Sequence, residues 1–322
     1  MTRSFHHIAF WAFALLSLPM AAGAAGEAKT LNVLFIGNSF TARHNLSTVV
    51  KAMAEAGNPG LTFNRTDVIY GGRTLKDHWR LGTQNIVKQS TLTEAEEKAT
   101  IAALEKTLAE NPKDKYAQSA LARHRELLPK IEANRKPWDI IVLQSYRDDI
   151  EGDPTLYAEY APKFAALAKA QGARVILYET TPNTQNPQPL TKVPDPAPIL
   201  AKERAIAALS KRIDASVAPM ALVALRCQTQ RPDLTLRFVN DAHLNQTMSY
   251  LTACTLYAAI FNQSPVGLPI DSVTDIRTME TPTHDKTKDR DGNPLTRKFS
   301  DKDRADLQRI AWEGWSEFQK LP

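Results

Sequence analysis

Short, unbroken apolar runs alternate along this chain with longer stretches in which apolar residues recur every three or four positions. Thr30 to Ile36 (TLNVLFI), closed by Gly37, reads as a buried parallel strand. Leu46 to Ala56 has helical spacing and stops at the breaker cluster Gly57-Asn58-Pro59-Gly60. Phe63 to Tyr70, ending in Gly71-Gly72, predicts a second strand, Trp138 to Leu143 a third and Ala173 to Tyr178 a fourth. Ala215 to Leu225 (ASVAPMALVAL) predicts a fifth, with Pro219 near its start. Helical spacing marks Thr155 to Ala170, Ile199 to Ile213 and Asn245 to Phe261.

Strands alternating with helices predict an α/β fold: a parallel sheet of about five strands with helices on both faces. Such sheets carry their working residues on loops at the carboxyl ends of the strands. One segment breaks the rhythm. Residues 91–136 are rich in Ala, Leu, Glu and Lys with a break at Asn111-Pro112, which predicts a helical hairpin inserted between strands two and three, expected as a rim over the site. Its helical-repeat-like stretch has no second copy, so a repeat array is not expected. The tail from Ser272 to Ser300 is charged and Pro-punctuated, hence expected to be irregular, and Asp301 to Gln319 predicts a closing amphipathic helix.

The N-terminus adds a compartment. Arg3 precedes an apolar run, Ile8 to Pro19, too short for a comfortable membrane span, and Ala22-Gly23-Ala24 has the small-x-small pattern of a signal peptidase site. Residues 1–24 are thus expected to be a signal peptide and residues 25–322 one exported domain, periplasmic or secreted; an uncleaved anchor is the alternative. No later segment is apolar enough to span a membrane. Removing the leader takes away Arg3 alone, so the net charge of +5 falls to +4 (5 − 1). That bias, without a basic stripe interleaved with aromatics, does not point to nucleic acid. The two cysteines, Cys227 and Cys254, are open to pairing or to burial as free thiols.

Candidate chemistry lies at strand ends. Gly37-Asn38-Ser39-Phe40 follows strand one, where a tight turn exposes a hydroxyl and aims backbone N–H groups at it; a plain helix cap is the simpler reading. Asn240-Asp241-Ala242-His243 sets a histidine among orienting side chains before a helix, a pattern that an ordinary helix start also produces. Gly71-Gly72-Arg73-Thr74 ends strand two, where glycine permits close backbone approach, and Gln144-Ser145 ends strand three. The histidines past the leader (His44, His78, His124, His243 and His284) show no i, i+4 pair, there is no Cys-x-x-Cys, and no phosphate-binding glycine motif occurs. Neither a metal nor another cofactor is expected.

In order, GNSFT, GGRTLKDHW, WDIIVLQS and NDAHLNQTMSYLTA resemble the motif blocks of the SGNH (GDSL-like) hydrolases, in the variant with GNS for GDS, over residues 31–265 in pieces. The resemblance implies a flavodoxin-like three-layer α/β/α sandwich and a serine esterase. Ser39 would be the nucleophile, His243 the base, and the N–H groups of Ser39 and Gly72 part of the oxyanion hole. The family's Gly-x-Asn-Asp block is missing, and Gln144 stands in for its donor. The family's Asp-x-x-His spacing falls on Asn240, with Asp241 one residue closer, so either is open as the partner of His243. The implied substrate is a small-molecule or glycan ester, O-acetyl groups on glycans among them. A non-catalytic glycan-binding protein and an acyltransferase are the alternatives on the same scaffold.

Overall fold

The structure is a computed structural model and describes residues 29–144, 146, 155–180, 184–276 and 287–322; the signal-peptide expectation, Ser145 and His284 lie outside these. Five parallel strands form the central sheet: β1 (Thr30–Gly37), β2 (Thr62–Ile69), β3 (Ile140–Gln144), β4 (Arg174–Tyr178) and β5 (Ser216–Ala218), in the order β2-β1-β3-β4-β5. Alternation along β1 sends Val33 and Phe35 to one face and Leu34 and Ile36 to the other, all fully buried. Both faces therefore need a helical cover, and both have one.

The helices, in chain order, are α1 (Ser39–Ala42), α2 (Leu46–Gly57), α3 (Leu75–Arg80), α4 (Thr83–Val87), α5 (Glu94–Glu110), α6 (Lys115–Leu127), α7 (Leu156–Lys169), α8 (Pro196–Ile213), α9 (Met220–Gln230), α10 (Gln246–Phe261) and α11 (Asp301–Phe318). Apolar residues of α2, α9, α10 and α11 pack on the Val33/Phe35 side, while those of α3, α6, α7 and α8 pack on the Leu34/Ile36 side. Residues Gln246–Ile260 of α10 are buried all round, which explains why this helix shows no polar stripe. None of the helices among the described residues is long and apolar enough to cross a membrane. The result is the three-layer α/β/α sandwich that the strand pattern implied.

Two expectations change. The fifth strand is only three residues long, because Pro219 has no N–H for the ladder and begins α9 instead. The first turn of α9 is then held by two buried carboxyl groups: Glu179 accepts from the N–H of Ala221 (2.9 Å) and Glu203 from that of Leu222 (2.7 Å). The tail from Ser272 is not wholly irregular: β6 (Ser272–Thr274) pairs antiparallel with β7 (Thr296–Lys298). Cys227 and Cys254 are free and buried in the same core cluster, where burial pushes the Cys227 thiol up to about 12 and Cys254 upward as well.

The inserted hairpin is α5 and α6. It docks beside β2 rather than standing free: Leu104, Ala117, Ala120 and Leu121 join the Leu34/Ile36 core. At its tip Tyr116 donates to the carbonyl of Gly71 (2.7 Å), and the Arg73 guanidinium lies 4.6 Å from the Tyr116 ring centroid. The insertion thus braces the loop after β2.

Candidate active site

The turn after β1 is built around Asn38. Its backbone carbonyl accepts from Thr41 and Ala42, and its side-chain oxygen accepts from the Phe40 N–H (3.1 Å), so Asn38 is the cap of α1 and Ser39 the first helical residue. Ser39 is accordingly free of the capping role that was the simpler reading of the motif. As first residue of a helix, its N–H has no intrahelical acceptor. The Asn38 amide also donates to the carbonyl of Arg73 (3.1 Å), which ties this turn to the loop carrying Gly72. An aspartate, having no N–H in its side chain, could not make that tie.

Gln144 lies fully buried beneath the turn. Its amide oxygen accepts from the Asn38 N–H (2.8 Å) and the Thr41 hydroxyl (3.0 Å). Its oxygen thus braces the nucleophile turn from below, a role separate from the donation expected of its amide nitrogen. The same packing explains Gly37, since a Cβ there would collide with the Thr41 hydroxyl and the Gln144 oxygen. Gly72 has φ +68°, a left-handed conformation that favours glycine, and a Cβ built on it would meet nothing within 4 Å, so its loop faces open space.

Ser39 and His243, far apart in sequence, meet: the imidazole Nε2 is 2.8 Å from Ser39 Oγ. The other ring nitrogen, Nδ1, hydrogen-bonds Asp241 Oδ1, which also accepts from the His243 backbone N–H (3.0 Å). Asn240 is solvent-exposed and carries none of these contacts. Helix α10 begins at Gln246 with Asn245 as its cap, so neither Asp241 nor His243 serves as an ordinary helix start. Phe40 packs against the imidazole, ring centroids 5.4 Å apart. Burial acts to raise the Asp241 carboxyl, but hydrogen bonds from His243 and the charges of His243 and Arg43 outweigh it and hold the group well below the usual carboxylate range. With 13% of the Asp241 side chain and 26% of the His243 side chain exposed, the pair is sheltered yet open to a small substrate.

Two further histidines, passed over in sequence except as non-ligands, stand behind this pair. His78 Nε2 lies 3.0 Å from the Gly37 carbonyl and its Nδ1 3.1 Å from Thr83 Oγ1. His44 Nε2 lies 2.8 Å from the carbonyl of Leu244, next to His243, on a left-handed residue of φ 57°. Burial lowers both to about 4, so both are neutral props at neutral pH. The signal available for His78 was its place inside the GGRTLKDHW block. Nothing comparable marked His44.

Beyond β4, residues Thr184–Asn186 line a cavity of about 630 Å³ with Leu190, Ile199 and Gln228. Among the described residues no group of three His, Cys, Asp or Glu side chains is placed to hold a metal ion.

No family model and no curated protein matches this chain. Solved structures do resemble it. One is a protein of Slackia heliotrinireducens assigned to the SGNH hydrolases, at 19% identity and a TM-score of 0.43 over 72% of this chain and 100% of the other. A DUF4886 family protein of Bacteroides uniformis aligns over 91% of this chain and 98% of its own length, at 14% identity and a TM-score of 0.48. TesA aligns over 72% of this chain and 98% of its own, at 14% identity and a TM-score of 0.38.

Proposed function

We propose that this protein is a serine hydrolase acting on carboxylic esters. The observation that carries the reading is the chain Ser39–His243–Asp241, in which each side chain occupies the position its role demands. Ser39 Oγ attacks the acyl carbon while His243 Nε2 takes its proton. The Asp241 carboxylate accepts the Nδ1–H, fixing the tautomer and stabilising the imidazolium that forms. The tetrahedral oxyanion is received by the N–H groups of Ser39 and Gly72, whose loops the Asn38–Arg73 hydrogen bond holds together. His243 then returns the proton to the departing alkoxide, leaving an acyl-serine. Water, deprotonated by the same imidazole, attacks that ester and releases the carboxylic acid with Ser39 restored.

Export, read from residues 1–24, would place the enzyme in the periplasm or outside the cell, where glycan O-acetyl esters are the substrate class that the family resemblance implies. A fluorophosphonate probe tests the mechanism without knowledge of the substrate. The wild-type protein is expected to gain one phosphonyl group on the peptide containing Ser39, and Ser39→Ala and His243→Ala none. A folded wild type that stays unlabelled would instead favour a non-catalytic glycan-binding protein. Rapid acyl-serine formation that turns over only when a sugar acceptor is added would mark an acyltransferase.

A further inference from the structure

The segment from Thr287 to Leu295 looks, in sequence, like part of a charged tail. In the structure it is a tight turn fastened to the block that carries His243. Asp289 Oδ1 accepts from the N–H groups of Asp291 and Asn293 (2.9 Å each), and Gly292 turns the chain at φ +85°. Asp289 Oδ2 accepts from the side chain of Gln246 (3.1 Å), and both oxygens of Asp291 accept from the Val239 N–H (3.0 and 3.1 Å). These fastenings lie on either side of His243 in sequence. Between them, the Arg290 guanidinium donates from Nη1 to Asp241 Oδ2.

The Asp241 carboxylate is therefore divided. Oδ1 serves the backbone and ring of His243, while Oδ2 faces Arg290, with Arg43 Nη2 3.6 Å away. Arg237 adds a third cation, its guanidinium donating to the carbonyls of Phe238 (3.3 Å) and Asp241 (3.5 Å). His44 props Leu244 next to the base, and the acids of the turn, Asp289 and Asp291, point to Gln246 and Val239 instead. A carboxylate shared with guanidinium groups offers less compensation to a neighbouring imidazolium than one that pairs with the histidine alone.

Resting on the Ser39–His243–Asp241 reading, we propose that Arg290 is a positioning residue that anchors Asp241 and shares its carboxylate with His243, so that an imidazolium there is compensated less fully than it would be without the Arg290 charge. Removing the Arg290 charge favours the imidazolium, so His243 should pick up its proton at higher pH. NMR titration of the His243 Cε1–H signal, identified by its loss in His243→Gln, reads this without any substrate. Arg290→Met and Arg290→Gln are expected to raise the midpoint by about one pH unit, and Arg290→Lys, which keeps the charge, to stay within about 0.3 of wild type. The acid limb of kcat/KM for an ester moves by the same amounts. Unchanged midpoints in folded Met and Gln variants would overturn the proposal, as would unfolding of both, which would assign Arg290 a structural role. The two ideas also separate cleanly. A wild type that hydrolyses no ester but shows the NMR shift contradicts the esterase and leaves the electrostatic role standing, whereas an active wild type whose titration ignores Arg290 does the reverse.

Discussion

Asp241→Asn is expected to lower kcat for ester hydrolysis on the order of 10⁴-fold, while Asn240→Ala stays within about twofold of wild type. The asymmetry follows from where the two side chains point. Asp241 Oδ1 receives both the ring and the backbone N–H of His243, and Asn240 is exposed to solvent. An asparagine at 241 can still accept the Nδ1–H through its oxygen. It then turns its NH₂ toward Arg290 and Arg43, donor against donor, so the orientation of the imidazole is contested and its charge uncompensated. Steady-state hydrolysis of p-nitrophenyl acetate by both variants, with near-UV circular dichroism as a check on folding, measures this. Equal losses at positions 240 and 241 would contradict the assignment of Asp241.

The second large effect concerns stability in acid. His44 and His78 are fully buried, and burial lowers both from the ordinary 6.5 to about 4. Between those values the unfolded chain binds a proton at each site and the folded chain does not, so stability falls as pH drops from about 6.5 and the loss levels off below about 4. Between pH 7 and pH 4.5 each histidine should cost about 2 kcal/mol. Glu203 works in the opposite sense. Burial, and then the neighbouring Glu179, hold its proton affinity above normal, so the folded state gains from acid until Glu203 protonates in the unfolded chain too. The comparison must therefore be between variants. Urea unfolding of His78→Gln is expected to show a pH 7 to pH 4.5 loss about 2 kcal/mol smaller than wild type, although its stability at pH 7 is lower, and His44→Gln should behave likewise. The same pH dependence in wild type and both variants would contradict the neutral, buried state of these side chains.

Most of the sheet was legible because a parallel strand buried on both faces leaves an unmistakable run, as in Thr30–Gly37 and Ile140–Gln144. The fifth strand misled for the same reason. ASVAPMALVAL is apolar throughout, so periodicity cannot divide strand from buried helix; Pro219 does, together with Glu179 and Glu203, which come from elsewhere in the chain to hold the first turn of α9. Ser39, His243 and Gly72 could be singled out because each lies just after a strand or shortly before a helix. Local sequence had no way to choose between Asn240 and Asp241, since the choice depends on which backbone carbon faces the imidazole after the 240–243 loop has closed. Gln144 sits below the site, as its place at the end of β3 implied, and its oxygen accepts there from the N–H of Asn38, 106 residues earlier in the chain, a contact no local pattern announces. Arg290 had no local signal at all. Its partner lies 49 residues away and is reached only because Asp289 and Asp291 fasten the turn.

The most direct test of the central claim is hydrolysis of p-nitrophenyl acetate by purified wild-type protein beside Ser39→Ala. The site geometry predicts turnover in the wild type and a fall of at least about 10³-fold in the variant, with the fold unchanged. Turnover that survives Ser39→Ala would mean that Ser39 is not the nucleophile, and a folded wild type with no turnover above background would contradict the hydrolase itself.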